Sequence, residues 1–116
     1  MQKRLMSIGC AVTFLIYGCS NSGLNPAEME KNSILLDVRT VSEYQQGHIK
    51  GAVNLPLDDI DTGAGQIIPD KNMRIYIYCR SGRRSKKAMS KLLQQGYNNI
   101  TDFGSMADAE KSLIIP

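Results

Sequence analysis

The chain is poor in cysteine and histidine, lacks tryptophan and carries little excess charge. Three cysteines among 116 residues cannot form the disulfide framework of a small secreted scaffold. The single histidine, His48, has no plausible set of partner ligands for a metal ion. Fourteen basic and eleven acidic residues give a net charge of +3, which is too small for a protein that coats nucleic acid. The length accommodates one domain.

The first 18 residues have the layout of a secretory signal peptide. Lys3 and Arg4 precede an uncharged, mainly apolar run over residues 8–17, and polar residues follow from Cys19. The run is shorter than the roughly 20 apolar residues that a transmembrane helix requires. We therefore expect this segment to direct export rather than to span the membrane.

Residues 15–19, LIYGC, resemble the lipobox of bacterial lipoproteins, in which the cysteine is lipidated and becomes the new N-terminus. The resemblance implies a lipid anchor on Cys19, and Ser20 in place of an aspartate favours the outer membrane, on its periplasmic side. Conventional cleavage after Ser20 is the alternative. If Cys19 is lipidated, residues 19–26 form the lipidated cysteine and a flexible tether. We expect residues 27–116 to form the folded domain.

Short apolar runs alternate with helical patterns in the remainder of the chain. Strands are predicted over residues 34–38, 52–55, 75–78 and 99–103. Helices are predicted after a capping box of Thr40 and Glu43, and over residues 58–68, 84–95 and 105–111, with a turn at 69–72. This order predicts a single α/β domain with a mainly parallel central sheet flanked by helices on both faces.

The loop at residues 79–85, CRSGRRS, is the candidate active site. It follows a strand and opens a helix, which is where parallel α/β sheets bind their ligands. Inward-facing backbone N–H groups and the helix N-terminus would stabilise an anion, so we predict that Cys79 is largely thiolate at neutral pH. If Cys10 leaves with the signal and Cys19 is lipidated, Cys79 is the only free thiol in an oxidising compartment. An inert buried thiol is the competing interpretation.

Eight basic residues and no acidic residue lie between positions 71 and 91, a distribution that would attract a small anionic substrate to the loop. We expect at least one of Arg80, Arg83 and Arg84 to contact that substrate. The remaining loop residues assigned to substrate binding are Ser81, Gly82 and Ser85. We interpret Lys86, Lys87 and Lys91 as an ordinary solvated helix face, with contact to a membrane surface as a secondary possibility.

The chain resembles the rhodanese family of sulfurtransferases, and within it the small exported single-domain type. The matching segments are residues 36–39 (LDVR), 43–44 (EY), 47–56 (GHIKGAVNLP), 79–85 (CRSGRRS) and 92–97 (LLQQGY). The resemblance implies a thiosulfate sulfurtransferase in which Cys79 accepts a sulfane sulfur as a persulfide and passes it to cyanide or a thiol. It implies no metal or organic cofactor. We expect a monomer that binds no nucleic acid.

The length of the cysteine loop distinguishes a sulfurtransferase from the phosphatases and arsenate reductases of the same fold. Their Cys-x5-Arg signature would place an arginine at the position of Ser85, whereas Arg84 stands one residue early. The resemblance implies that the shorter rhodanese loop fits a sulfane sulfur. A persulfide carrier without efficient turnover remains open, and thioredoxin-type exchange is disfavoured because the chain has no Cys-x-x-Cys.

The other polar residues near these motifs are assigned structural roles. A thiolate formed by loop dipoles needs no general base, so we expect His48 to make a structural hydrogen bond. Asp37 and Arg39 follow a strand, and we expect them to pair with neighbouring groups. Tyr76 and Tyr78 alternate with isoleucines and are predicted to lie in the core or on a sheet face.

Overall fold

The computed structural model describes residues 32–113, so the predicted signal segment, the lipidation residue Cys19 and the tether lie outside the described residues. Its elements in chain order are β1 (Ser33–Asp37), α1 (Val41–Gln45), β2 (Val53–Asn54), a 3₁₀ turn (Leu57–Asp59), α2 (Ile60–Ile67), β3 (Arg74–Cys79), α3 (Arg83–Gln94), β4 (Ile100–Ser105) and α4 (Met106–Leu113). Within residues 32–113, no helix has the length and apolar character needed to cross a membrane.

The four described strands form one parallel sheet in the order β2-β1-β3-β4. Because all strands run the same way, their carboxyl ends meet at one edge of the sheet. In the pairing register Asp37 lies beside Tyr78, and Cys79 lies beside Ser105. The central strand β3 therefore delivers Cys79 to the middle of the edge where the loops and helix N-termini gather.

Apolar side chains cover both faces of the sheet, and alternate residues of each strand point to opposite faces. Leu36, Ile75 and Ile77 pack on one face with residues of α2 and α3. Leu35, Tyr76 and Tyr78 pack on the other with residues of α4, and with Tyr44 of α1. The predicted α/β fold with helices on both faces is confirmed, as is the placement of the two tyrosines.

The predicted helix over residues 58–68 is present, although it is divided into the 3₁₀ turn and α2. Two glycines weaken its intrinsic helix propensity, but Ile60 and Ala64 are fully buried and hold it against the core. A Cβ at Gly63 would lie 3.0 Å from a methyl carbon of Leu55, so the small residue permits close packing. Burial therefore outweighs propensity in this segment.

The last strand extends two residues beyond the predicted end at residue 103. The register between β3 and β4 shifts at Ile77 and Tyr78, where Phe103 is an extra residue on β4. Gly104 takes a positive φ of 86° there and resumes the pairing beside Tyr78. This bulge brings the end of β4 against the loop at residues 79–85.

Candidate active site

Backbone N–H groups surround the sulfur of Cys79. The Gly82 amide donates to Sγ at 2.9 Å, and the Ser85 amide donates to it at 3.3 Å. Gly82 makes this turn possible because it adopts a positive φ of 96°. It also packs against Gly104: a Cβ added to Gly82 would lie 3.5 Å from the Gly104 Cα. The loop therefore wraps around its own first residue and packs on the bulge of β4.

The pKa of Cys79 is lowered below the ordinary value of a cysteine thiol, although two effects oppose each other. Burial raises the pKa because it removes the thiolate from water. Hydrogen bonds from the amides of Ser85, Gly82 and Ser81, and from the Ser85 hydroxyl, lower it and outweigh burial. The loop thus favours the thiolate, which is the nucleophilic form of the residue.

Cys79 itself has no solvent-exposed surface. In the described part of the chain, three clefts beside the loop each have a loop residue in their lining, and Cys79 lines none of these three. Ser81 and Gly82 line the first, Arg80 the second and Arg84 the third. The sulfur is therefore covered in this structure, and a reagent reaches it only once some of the atoms that cover it have moved.

The three loop arginines differ in their surroundings. Arg84 makes a bidentate pair with Glu43 of α1, at 2.7 Å and 3.0 Å. Arg80 lies 3.6 Å from the same carboxylate. Arg83 is exposed and lines the 430 Å³ cleft together with Lys86. The predicted substrate-binding arginines thus include one that is firmly bound to a carboxylate of the protein.

Glu43 is the site residue that sequence reasoning did not identify as one. The sequence predicts it as part of the capping box and includes it in the matching segment 43–44, without a role at the loop. The capping box is present: Thr40 N–H donates to Glu43 Oε1 at 3.0 Å, and Glu43 N–H donates to Thr40 Oγ1 at 3.2 Å. Hydrogen bonds from the Arg84 side chain, followed by those from Thr40, hold the pKa of Glu43 well below its usual range. The available signal was topological, because α1 begins just after β1 ends, at the edge where the loop lies.

A buried polar network supports this edge of the sheet. The Arg39 guanidinium donates to both oxygens of Asp37 at 2.6–3.0 Å and to the carbonyl of Gly47 at 2.7 Å. The Tyr78 hydroxyl donates to Asp37 at 2.7 Å and accepts from the Ile49 amide at 3.1 Å. Burial, and then its bond to Asp37, raises the pKa of Tyr78. The expected pairing of Asp37 and Arg39 is confirmed.

The remaining polar candidates occupy structural positions. His48 Nδ1 lies 2.8 Å from the Tyr44 carbonyl, and its ring stacks on Tyr44 at a centroid distance of 3.6 Å. Lys91 contacts Asp61 at 3.1 Å, whereas Lys86 and Lys87 are exposed. Among residues 32–113, no group of three or more His, Cys, Asp and Glu residues is placed to hold a metal ion.

Comparison with known proteins gives a consistent result. The family model of the rhodanese-like domain matches residues 25–106. The chain is 37% identical over 73 residues to the thiosulfate sulfurtransferase PspE of Escherichia coli, covering 63% of this chain and 70% of that one. It is 39% identical over 66 residues to the putative sulfur carrier protein YrkF of Bacillus subtilis, covering 57% of this chain but 35% of the relative.

A solved structure described as a rhodanese with anions from E. coli superposes with a TM-score of 0.64 at 33% identity, and the match covers 72% of this chain and 94% of that one. The family model alone spans more than half of the sequence and includes the cysteine loop. The chain belongs to the rhodanese-like domain family.

Proposed function

We propose that this protein is a thiosulfate sulfurtransferase that works through a persulfide on Cys79. The observation that carries the proposal is the pair of amides, from Gly82 and Ser85, that donate to Sγ at 2.9 Å and 3.3 Å. These donors favour a thiolate and would equally stabilise the negative charge of a persulfide in the same ring. The name of the E. coli relative supports this choice of donor.

In the first step the Cys79 thiolate attacks the outer sulfur of thiosulfate. A new sulfur–sulfur bond forms to Sγ, the bond between the two thiosulfate sulfurs breaks, and its electron pair leaves with sulfite. One thiolate and one thiosulfate dianion thus give one persulfide anion and one sulfite dianion, with no net proton transfer. This is nucleophilic catalysis with a covalent intermediate.

In the second step an acceptor removes the terminal sulfur. Cyanide attacks that sulfur, the bond to Sγ breaks, and thiocyanate and the Cys79 thiolate are released. A thiolate acceptor would give its own persulfide by the same exchange. The loop donors recover the thiolate that they stabilised at the start, so no separate general base is needed.

Phosphoryl chemistry is less compatible with this loop. Ser85 occupies the place of the arginine in the longer signature, is fully buried, and donates its hydroxyl to the Gly82 carbonyl at 3.1 Å. Arg84 directs its guanidinium to Glu43 rather than into the ring of amides. The structure of the loop therefore favours sulfur transfer over phosphatase activity.

The test combines intact mass with turnover. Wild-type protein and a Cys79→Ser variant are incubated with thiosulfate, and thiocyanate formation with cyanide is then assayed. We expect a gain of one sulfur atom and turnover in the wild type, and neither in the variant. A stable persulfide without turnover would instead indicate a carrier, as the name of the B. subtilis relative suggests for that protein. Hydrolysis of an aryl phosphate would support the phosphatase.

We also propose that the protein is exported and anchored by a lipid on Cys19, in the outer membrane facing the periplasm. The lipobox-like residues 15–19 and the neutral Ser20 support this placement. Metabolic labelling with palmitate in a bacterial host tests it, with Cys19→Ala as the variant and Cys10→Ala as the matched control. Label lost only in the Cys19 variant is expected, and a soluble, unlabelled protein cleaved after Ser20 would contradict the anchor.

A further inference from the structure

The carboxylate of Glu43 is shared unequally by two loop arginines. Arg84 binds it through two nitrogens at 2.7 Å and 3.0 Å, and 31% of the Arg84 side chain is exposed. Arg80 reaches it through one nitrogen at 3.6 Å, and 75% of its side chain is exposed. Arg84 is therefore held in place, whereas Arg80 can exchange partners at little cost.

Glu43 and Arg80 line the same cleft, which has a volume of about 250 Å³ and lies between α1 and the catalytic loop. The other charged residue of that lining, Arg39, is already bound to Asp37 and to the Gly47 carbonyl. Arg80 is thus the loosely bound cation of this cleft. It also follows Cys79 directly in the chain, so this cleft borders the loop that carries the reactive residue.

We propose that Glu43 is a resident anion that competes with the oxyanion group of the sulfur donor for Arg80. Donor binding exchanges the carboxylate for the sulfonate of thiosulfate on Arg80, while Arg84 stays paired and keeps α1 against the loop. Glu43 is then a specificity-determining residue, because a donor gains Arg80 only if it carries an oxyanion. The inference rests on the proposed function and deepens it by naming the donor subsite.

Alkylation of Cys79 tests the exchange without requiring turnover. The second-order rate with anionic iodoacetate is divided by that with neutral iodoacetamide, and modification is read on the Cys79 peptide of the full chain. The attraction between two unit charges about 4 Å apart in water corresponds to about a fivefold factor in binding, which an anion gains when Arg80 no longer has to leave Glu43. We therefore expect Glu43→Gln to raise the ratio by about fivefold and to lower the KM for thiosulfate similarly, with kcat little changed.

Two further variants separate the exchange from other effects. Glu110→Gln makes the same chemical change on the exposed side of α4 and should leave the ratio unchanged. Arg80→Gln should lower the ratio, and adding Glu43→Gln to it should have no further effect. A full effect of Glu43→Gln in the Arg80→Gln background would show plain charge repulsion and would overturn the exchange. Glutamine also serves at this position of a capping box, so α1 is expected to remain folded, which thermal melting checks.

The two proposals fail separately. If thiosulfate transfers no sulfur but the alkylation ratios behave as stated, the proposed function is wrong and the anion subsite stands. If sulfur transfer occurs but Glu43→Gln changes neither the ratio nor the KM, the role of Glu43 is wrong and the sulfurtransferase stands.

Discussion

Replacing Ser85 with alanine should weaken the thiolate without removing the amide that donates to it. The Ser85 hydroxyl lies 3.1 Å from the Gly82 carbonyl, and its single proton lowers the pKa of Cys79 when it turns from that carbonyl to Sγ. The Ser85 amide, at 3.3 Å from Sγ, is retained in the variant. A hydrogen bond to a charged group contributes about 1.5 kcal/mol, which corresponds to about a tenfold change in an equilibrium. At a pH below the pKa of Cys79, the thiolate fraction of the variant should therefore fall by about tenfold.

The assay is the rate of Cys79 alkylation by iodoacetamide as a function of pH. Because the lost bond stabilised the charged form, the profile of Ser85→Ala should shift to higher pH and meet that of the wild type once both thiols are ionised. Ser90→Ala, an exposed position on the same helix, is the matched control and should not shift. Superimposable profiles for Ser85→Ala and wild type, with both proteins folded, would refute the reasoning.

Three further predictions concern the support of the site. Asp37→Asn leaves the buried Arg39 charge unpaired and should cost about 3–5 kcal/mol in urea unfolding, so a loss under about 1 kcal/mol would contradict the network. Gly82→Ala strains a φ of 96° and should slow neutral-pH alkylation of Cys79 at least about tenfold, unlike Gly65→Ala, which has open space in α2. The lowered pKa of Cys79 stabilises the folded state at high pH, and this contribution is lost as pH falls through the folded pKa. The stability advantage of wild type over Cys79→Ser should accordingly grow with pH, and a constant difference would argue against it.

Secondary-structure elements whose positions depend on a few neighbouring residues could be predicted from the sequence. The capping box of Thr40 and Glu43 predicts the start of α1, and the apolar run before Cys79 predicts the central strand. The alternation of strands and helices then predicts a parallel sheet, and this topology brings the cysteine loop to its carboxyl edge. These features depend on neighbours in the chain, so they can be read without the fold.

The pairing of Glu43 with Arg84 could not be read in this way, because the partners are 41 residues apart and the contact exists only once α1 lies against the loop. The bulge at Phe103 was missed for a related reason. The predicted strand ends at residue 103, whereas in the structure Gly104 takes a positive φ and β4 continues beside the loop. In both cases packing between distant segments, rather than local propensity, decides the outcome.

The most direct measurement is a titration of the Cys79 thiolate by its ultraviolet absorbance, in a chain where Cys10 and Cys19 are replaced by alanine. The account predicts that the folded protein ionises at lower pH than the same protein unfolded in urea, because unfolding removes the amides of Gly82 and Ser85 from the sulfur. Identical midpoints in the folded and unfolded protein would contradict it.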